Sequence, residues 1–198
     1  MGFTGPTRSP LGVPITFVVT GLLGLLASLS LTLDKLALLE NPSAELNCNV
    51  SVLVGCTSNL NSEQGSVFGF PNPILGLVFW SAIIAIGVGI LAGARFAGWF
   101  WILASLATAS ALTLVVWFIA QSIFVLGVLC PWCMLTWAVI IPMFFVIVLQ
   151  TLQSEWFPPR LRSVAGAGYA WVPLATLVCY LVIALLAQLR LDAFGQLF

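Results

Sequence analysis

The chain has 198 residues, of which 61% are hydrophobic and 6% charged, with six basic and six acidic side chains, no histidine and a formal net charge of zero. Soluble domains carry about 25% charged residues, so this composition, with a mean hydropathy of +1.15, excludes that class and reads as an all-α, polytopic integral membrane protein. No nucleic-acid partner is expected of it.

Charge positions divide the chain. No charged residue stands between Arg8 and Asp34, Glu63 and Arg95, Arg95 and Glu155, or Arg162 and Arg190. A spanning helix needs about 20 apolar residues. The first, second and fourth intervals therefore hold one helix each, and the third holds two, joined by an uncharged turn near Gln121 to Cys130. The expected spans are 12–33, 73–94, 98–121, 131–150 and 169–189, within a single membrane domain 1–198. The first span has little basic n-region and no small-x-small site before Asp34, so it reads as a retained helix rather than a signal peptide.

The basic residues set the expected orientation. With the N-terminus cytoplasmic, Arg8, Arg95, Arg160 and Arg162 share that side, against Lys35 and Arg190 on the other, as the positive-inside rule prefers. This places an inner-membrane protein with its C-terminus outside. The long 34–72 loop then faces the extracytoplasmic side, with Asp34, Glu40, Glu45 and Glu63. So do Cys48, Cys56 and Cys130, in the oxidising compartment where disulfides persist.

That loop is rich in Asn, Ser and Thr and contains Pro42 and Gly55, which argues against a packed domain. Asn59 to Gln64 reads as one short helix ended by Gly65. Two readings of the loop stay open: a mobile cap, and a static cap stapled by Cys48–Cys56. Next along the chain, Asn72, Gly76 and Phe79 fall on one helical face, where an amide and an aromatic ring would line one wall of a pocket. For Asn72 the competing reading is a helix N-cap with Pro73 at N1, and for Phe79 plain packing. Gly87, Gly89 and Gly93 suit close helix approach. Trp99 and Trp101, with Trp156 and Trp171, suit an interfacial aromatic belt.

Cys130-Pro131-Trp132-Cys133 opens the fourth span. Residues three apart share a helical face, so the two sulfurs can close a ring with little backbone movement. A thiolate at a helix N-terminus is stabilised by free N–H groups and the dipole, and Pro131 suits the first turn. The alternatives are two core thiols or part of a zinc site, which would need the loop cysteines because no histidine is present. Trp137, four residues on, shares the face of Cys133. Cys179 in the fifth span reads as a small buried residue. Thiol exchange moves electrons only between thiols, so a membrane dithiol relay needs a terminal acceptor of another kind. No dinucleotide or flavin fingerprint is present and no histidine is available for haem, which leaves a lipid-soluble quinone.

The pair Cys48 and Cys56, then Ser62, Gly65, Phe68-Gly69 and Pro71-Asn72, then CxxC at a later helix, resembles the vitamin K epoxide reductase family from the first span to about Gln150. The stretch CTSNLNSEQGSVFGFPN is closer to its bacterial branch, a functional counterpart of the DsbB quinone reductases. The resemblance implies a four-helix transmembrane bundle around a quinone of the menaquinone or ubiquinone type, with a fifth helix beside it and no metal. It also implies that Cys133 hands electrons to the quinone, that Cys130 exchanges with Cys56, and that Cys48 meets the partner. Ser62 and Asn72 match positions that lie near the quinone or order the cap. Trp137 stands where relatives often carry tyrosine. Some bacterial relatives carry a fused thioredoxin-like domain after the fifth helix; here a DsbA-like partner of thioredoxin fold is expected in trans. Three function classes follow: a quinone-linked oxidase of a secreted thiol protein, a vitamin K epoxide or quinone reductase, and a non-enzymatic, cysteine-stapled membrane protein.

Overall fold

The computed structural model describes residues 11–51 and 53–191. Arg8 and the C-terminal end, both used in the orientation argument, lie outside them. The helices are α1 (Gly12–Glu40), α2 (Thr57–Asn61), α3 (Pro73–Leu91), α4 (Gly98–Ala120), α5 (Pro131–Leu152), α6 (Pro159–Gly168) and α7 (Val172–Leu191). Five stretches are long and apolar enough to cross a membrane: α1, α3, α4 with the turn that follows it, α5, and α6 continued through α7. The protein is an all-α membrane protein.

The first helix runs further than its charges suggest. Instead of ending near 33, α1 continues to Glu40, because Leu31 and Leu38 are both buried against the cysteine loop and residues 36–40 are strong helix formers. Lys35, on this extension, donates from Nζ to the Leu60 carbonyl at 2.7 Å and to Asn61 Oδ1 at 3.3 Å. Asp34 and Lys35 therefore belong to the helix, and the loop begins at Asn41. Where one short helix was expected at 59–64, α2 is followed by a separate 3-10 turn, Glu63–Ser66, that contains Gly65.

The central element is α5, which packs against α1, α4, α6 and α7 and buries Val139, Ile140, Ile141, Met143, Val146 and Ile147. Proline at 142 removes the N–H that would bond the Ala138 carbonyl. Tyr180 of α7 donates its hydroxyl to that carbonyl instead, which satisfies a polar group where no water would and fastens the fifth span to the bundle. Thr151 of α5 donates to the Trp101 carbonyl of α4 at 2.9 Å, with the Ser105 hydroxyl 2.7 Å away.

Small residues bring α1 and α3 together. A Cβ on Gly24 would stand 2.2 Å from the Trp80 indole, one on Gly76 at 2.2 Å from Ser28 Oγ, and one on Gly87 at 3.0 Å from Phe17. Gly89 makes no such approach, and Gly93, at φ 91°, ends the helix. The aromatic belt also needs one correction. Trp99, Trp156 and Trp171 are exposed, but Trp101 is 5% exposed and packs on Phe17, Phe96 and Phe100, because residues two apart on a helix face different sides.

The cysteine loop covers the bundle end formed by the C-termini of α1, α4 and α7 and the N-termini of α3 and α5. Arg95, Arg160 and Arg162 lie at the opposite end. Because Trp80 is 1% exposed and has no room to move, Gly24→Ala should cost about 1–3 kcal/mol and lower the thermal unfolding midpoint of the purified protein. Gly12→Ala, whose Cβ would meet nothing within 4 Å, should leave it unchanged.

Candidate active site

After α4 the chain makes a π turn, Gln121–Leu126, and then Gly127 at φ 67° reverses its direction. Leu129, just beyond, forms a parallel β-bridge with Val54 of the loop. Leu129 N–H donates to the Leu53 carbonyl at 2.8 Å, and Gly55 N–H donates to the Leu129 carbonyl at 3.0 Å. Side-chain bonds widen the contact: Ser122 donates to the Val128 carbonyl at 2.9 Å and to Asn59 Oδ1 at 3.2 Å, and Gln64 reaches Gln121 at 3.3 Å.

The bridge register brings the next residues together. Cys56 and Cys130 are both fully buried, and their sulfurs are 3.3 Å apart. Cys56 is already joined to Cys48 by a disulfide, while Cys130 and Cys133 are free thiols. The Cys130 sulfur thus sits against one atom of a disulfide, which is the arrangement thiol–disulfide exchange requires.

Local structure prepares that sulfur. Cys130 is the N-cap of α5, with Pro131 at the first helical position, and its Sγ accepts the N–H of Cys133 at 3.5 Å. A side-chain hydrogen bond with Cys133 is the chief reason the Cys130 thiol is held below its ordinary pKa, helped by the N–H groups of Cys133 and Trp132 and opposed by burial and by the Asp34 carboxylate. Cys133 lies between two apolar groups, the cap cluster of Leu31, Leu38, Leu46 and Leu60 and a deeper one of Ile119, Ile123, Trp137 and Ala187.

Two residues gain importance only in the fold. Asn49 accepts the Cys56 N–H at 2.9 Å through Oδ1 and donates to Thr57 Oγ1 at 2.8 Å, pinning Cys56 at the start of α2. In sequence it is one loop asparagine among several, with nothing to single it out. Asp34 Oδ2 lies 3.4 Å from Cys48 Sγ; in sequence it marks only the charged end of the first span. The ligand atoms of Asp34, Cys48 and Cys56 all lie within 4.8 Å, but the two sulfurs are spent in the disulfide and offer no thiolate to a metal.

The other expected site residues are spread out. Ser62 donates to the Asn59 carbonyl at 2.7 Å. Asn72 makes no N-capping bond; its amide accepts the Val67 N–H at 3.1 Å and donates to the Gln64 carbonyl, closing the end of the cap. Phe79 is half-buried, edge-on to Trp80 at 5.1 Å, with the α1–α3 packing rather than beside the cysteines. Trp137 is 6% exposed and shares its cluster with Cys133.

The sequence model of the vitamin K epoxide reductase family matches residues 15–148. The chain belongs to the vitamin K epoxide reductase family. A comparison with curated proteins finds no match. The family match runs from α1 into α5 and leaves α6 and α7 outside it. Membership, together with the Cys48–Cys56 pair, makes this protein an oxidoreductase that works through thiols, in a family whose members use quinones.

The hydrogen bond from Cys133 yields a prediction. In a Cys179→Ser background with the Cys48–Cys56 disulfide intact, Cys133→Ala should move ionisation of Cys130 to higher pH, read from thiolate absorbance in the ultraviolet. An unchanged profile would mean that the Cys133 thiol does not support the Cys130 thiolate.

Proposed function

We propose that this family member is a quinone-dependent membrane thiol–disulfide oxidoreductase. It reoxidises a DsbA-like dithiol protein through Cys48 and Cys56, then Cys130 and Cys133, and so supports disulfide formation outside the cell membrane. The observation that carries this reading is the 3.3 Å contact between Cys130 Sγ and the disulfide-bonded Cys56 Sγ.

The order of the relay is supported by position: Cys48 is 7% exposed and flanked by the exposed Asn47 and Asn49, whereas Cys56 is fully buried, so the partner's thiolate meets Cys48 first. Its attack forms a mixed disulfide and releases Cys56 as a thiolate. That thiolate attacks Cys130 of an oxidised Cys130–Cys133 pair and displaces Cys133. The partner's second thiol then frees Cys48, which restores Cys48–Cys56 and releases Cys130. The partner has become a disulfide, and the two electrons rest on the Cys130 and Cys133 thiols, the redox state seen here.

A bound quinone supplies the two-electron acceptor that thiols alone lack. The residues beside Cys133 suit one: Trp137, Ile119, Ile123 and Ile183 form an apolar, aromatic wall at membrane depth, where Trp137 offers one indole N–H donor. Ser62 and Asn72 act on this site by ordering the cap, and Phe79 supplies apolar surface on α3. The orientation is supported by Arg95, Arg160 and Arg162 lying at the end away from the cysteines. It sets the cap outside, with the N-terminus cytoplasmic.

Two experiments test the reading. Purified protein supplied with a DsbA-like dithiol and a short-chain quinone should reduce one quinone per disulfide made. Serine at any of the four cysteines should remove that turnover, and a partner whose second cysteine is replaced by serine should accumulate as a Cys48-linked adduct on the four-cysteine protein. Turnover that survives Cys130→Ser would exclude the relay. In intact cells, a membrane-impermeant thiol reagent should reach a reduced Cys48 and not a cysteine introduced at Arg160; the reverse pattern would invert the orientation.

A further inference from the structure

Asp34 lies three residues after Leu31 and four before Leu38, both buried against the cap. These spacings share one helical face, so α1 aims a half-buried carboxylate at the cysteines. A carboxylate in such a place costs free energy unless something pairs with it. Its neighbour Lys35 does not serve: that ammonium is held by Leu60 and Asn61. What lies beside Asp34 Oδ2, at 3.4 Å, is Cys48 Sγ. A disulfide sulfur has no proton to share, so in this state the contact is no hydrogen bond. It becomes one when Cys48 is a thiol, because a carboxylate accepts an S–H and repels a thiolate.

We propose that Asp34 is a catalytic residue of the exchange, holding the proton on Cys48 whenever a Cys56–Cys130 disulfide replaces Cys48–Cys56. The inference rests on the relay described above and adds a proton path to it. From the state seen here, Cys130 loses its proton and its sulfur bonds to Cys56. The Cys48–Cys56 bond breaks, and its electron pair stays on Cys48. Cys48 takes up one proton and presents it to Asp34. Cys130 is oxidised and Cys48 reduced, so no outside oxidant is needed. In the turnover direction the step reverses: Cys48 passes its proton to Asp34 as it attacks Cys56, and Cys130 departs.

The other titratable groups facing this centre are Cys130 and Cys133 at the start of α5, and Lys35 on α1 with its ammonium engaged by the cap. Of the two exchange products, the one with Cys48 free keeps its proton longer, because a carboxylate stands beside it. The one with Cys130 free loses its proton sooner, because hydrogen bonds from Cys133 and the N–H of Trp132 outweigh the burial and the weaker repulsion by Asp34, which touches Cys48 and not Cys130. Raising the pH should therefore favour Cys48–Cys56 and drive the relay forward.

The test uses the full chain carrying Cys133→Ser and Cys179→Ser, which leaves three cysteines and one disulfide. Its two isomers interconvert without partner or quinone. Samples equilibrated between pH 6 and 10 are quenched in acid, free thiols are trapped, and the pairing is mapped by peptide mass spectrometry. The ratio of Cys56–Cys130 to Cys48–Cys56 should fall about tenfold across that range, as for a one-unit difference in thiol pKa. With Asp34→Asn the fall should be clearly smaller, with the N–H donors at Cys130 accounting for what remains, and Asp34→Glu should restore the full trend. An unaltered pH dependence in Asp34→Asn would overturn the proposal, as would a shift equal at every pH, which marks a structural role, or the absence of a Cys56–Cys130 isomer throughout. Quinone reduction by the four-cysteine protein is measured separately. If it fails while the isomer ratio still depends on Asp34, the quinone-linked reading falls and the role of Asp34 stands.

Discussion

One parallel bridge holds the redox centre together. Val54 and Leu129 are far apart in sequence, and neither carries chemistry, yet the two hydrogen bonds on Leu129 decide where the cap docks. Cys130 follows Leu129 directly and Cys56 stands two residues after Val54, so their sulfurs meet only if this register is kept. Gly127 makes the register reachable, because its left-handed backbone turns the chain from α4 back toward α5. Asn49, Ser122, Asn59 and Gln64 then add side-chain bonds around the contact.

The placement of this bridge at the end of the bundle has an electrostatic basis. Loop backbone needs partners that a lipid interior cannot supply, so the cysteine loop sits over the helix ends and bonds to another irregular stretch there, 127–130. The exchange site lies where the α5 N-terminus offers its free N–H groups to a sulfur. Burial makes those few donors count for more, because water does not compete with them. Deeper in, Cys133 packs beside the buried Ile119, Ile123, Trp137 and Ala187.

The remainder of the bundle keeps that end in shape. Close packing of α1 on α3 through Gly24, Gly76 and Gly87 holds steady the two helices that carry the ends of the cap. The fifth span lies outside the family match, but it is not loosely attached, since Tyr180 fills the gap that Pro142 leaves in the bonding of α5. Leu191, at its far end, comes within 3.9 Å of a Cβ built on Gly127, which ties the extra helix to the turn beneath the exchange site.

Composition and charge spacing alone determined a five-span all-α membrane protein. The periodicity that makes a membrane helix is local, and a charged residue in lipid is expensive enough to mark each boundary. The CxxC at a helix mouth was legible for the same reason, since a cap and a first turn are made by neighbouring residues. What sequence misread were places where a distant contact overrides the local signal. Asp34 and Lys35 look like the start of a loop, but the cap satisfies one and the cysteines receive the other, so α1 runs on to Glu40. Trp101 looks interfacial until Phe17 and Phe96 enclose it. Asn72 does stand at the N-cap position of α3, but its amide is spent on Val67 and Gln64 and closes the cap. The bridge of Val54 with Leu129, and with it the meeting of Cys56 and Cys130, was decided by tertiary structure alone, because a backbone hydrogen bond between two apolar residues leaves no mark in the identity of either.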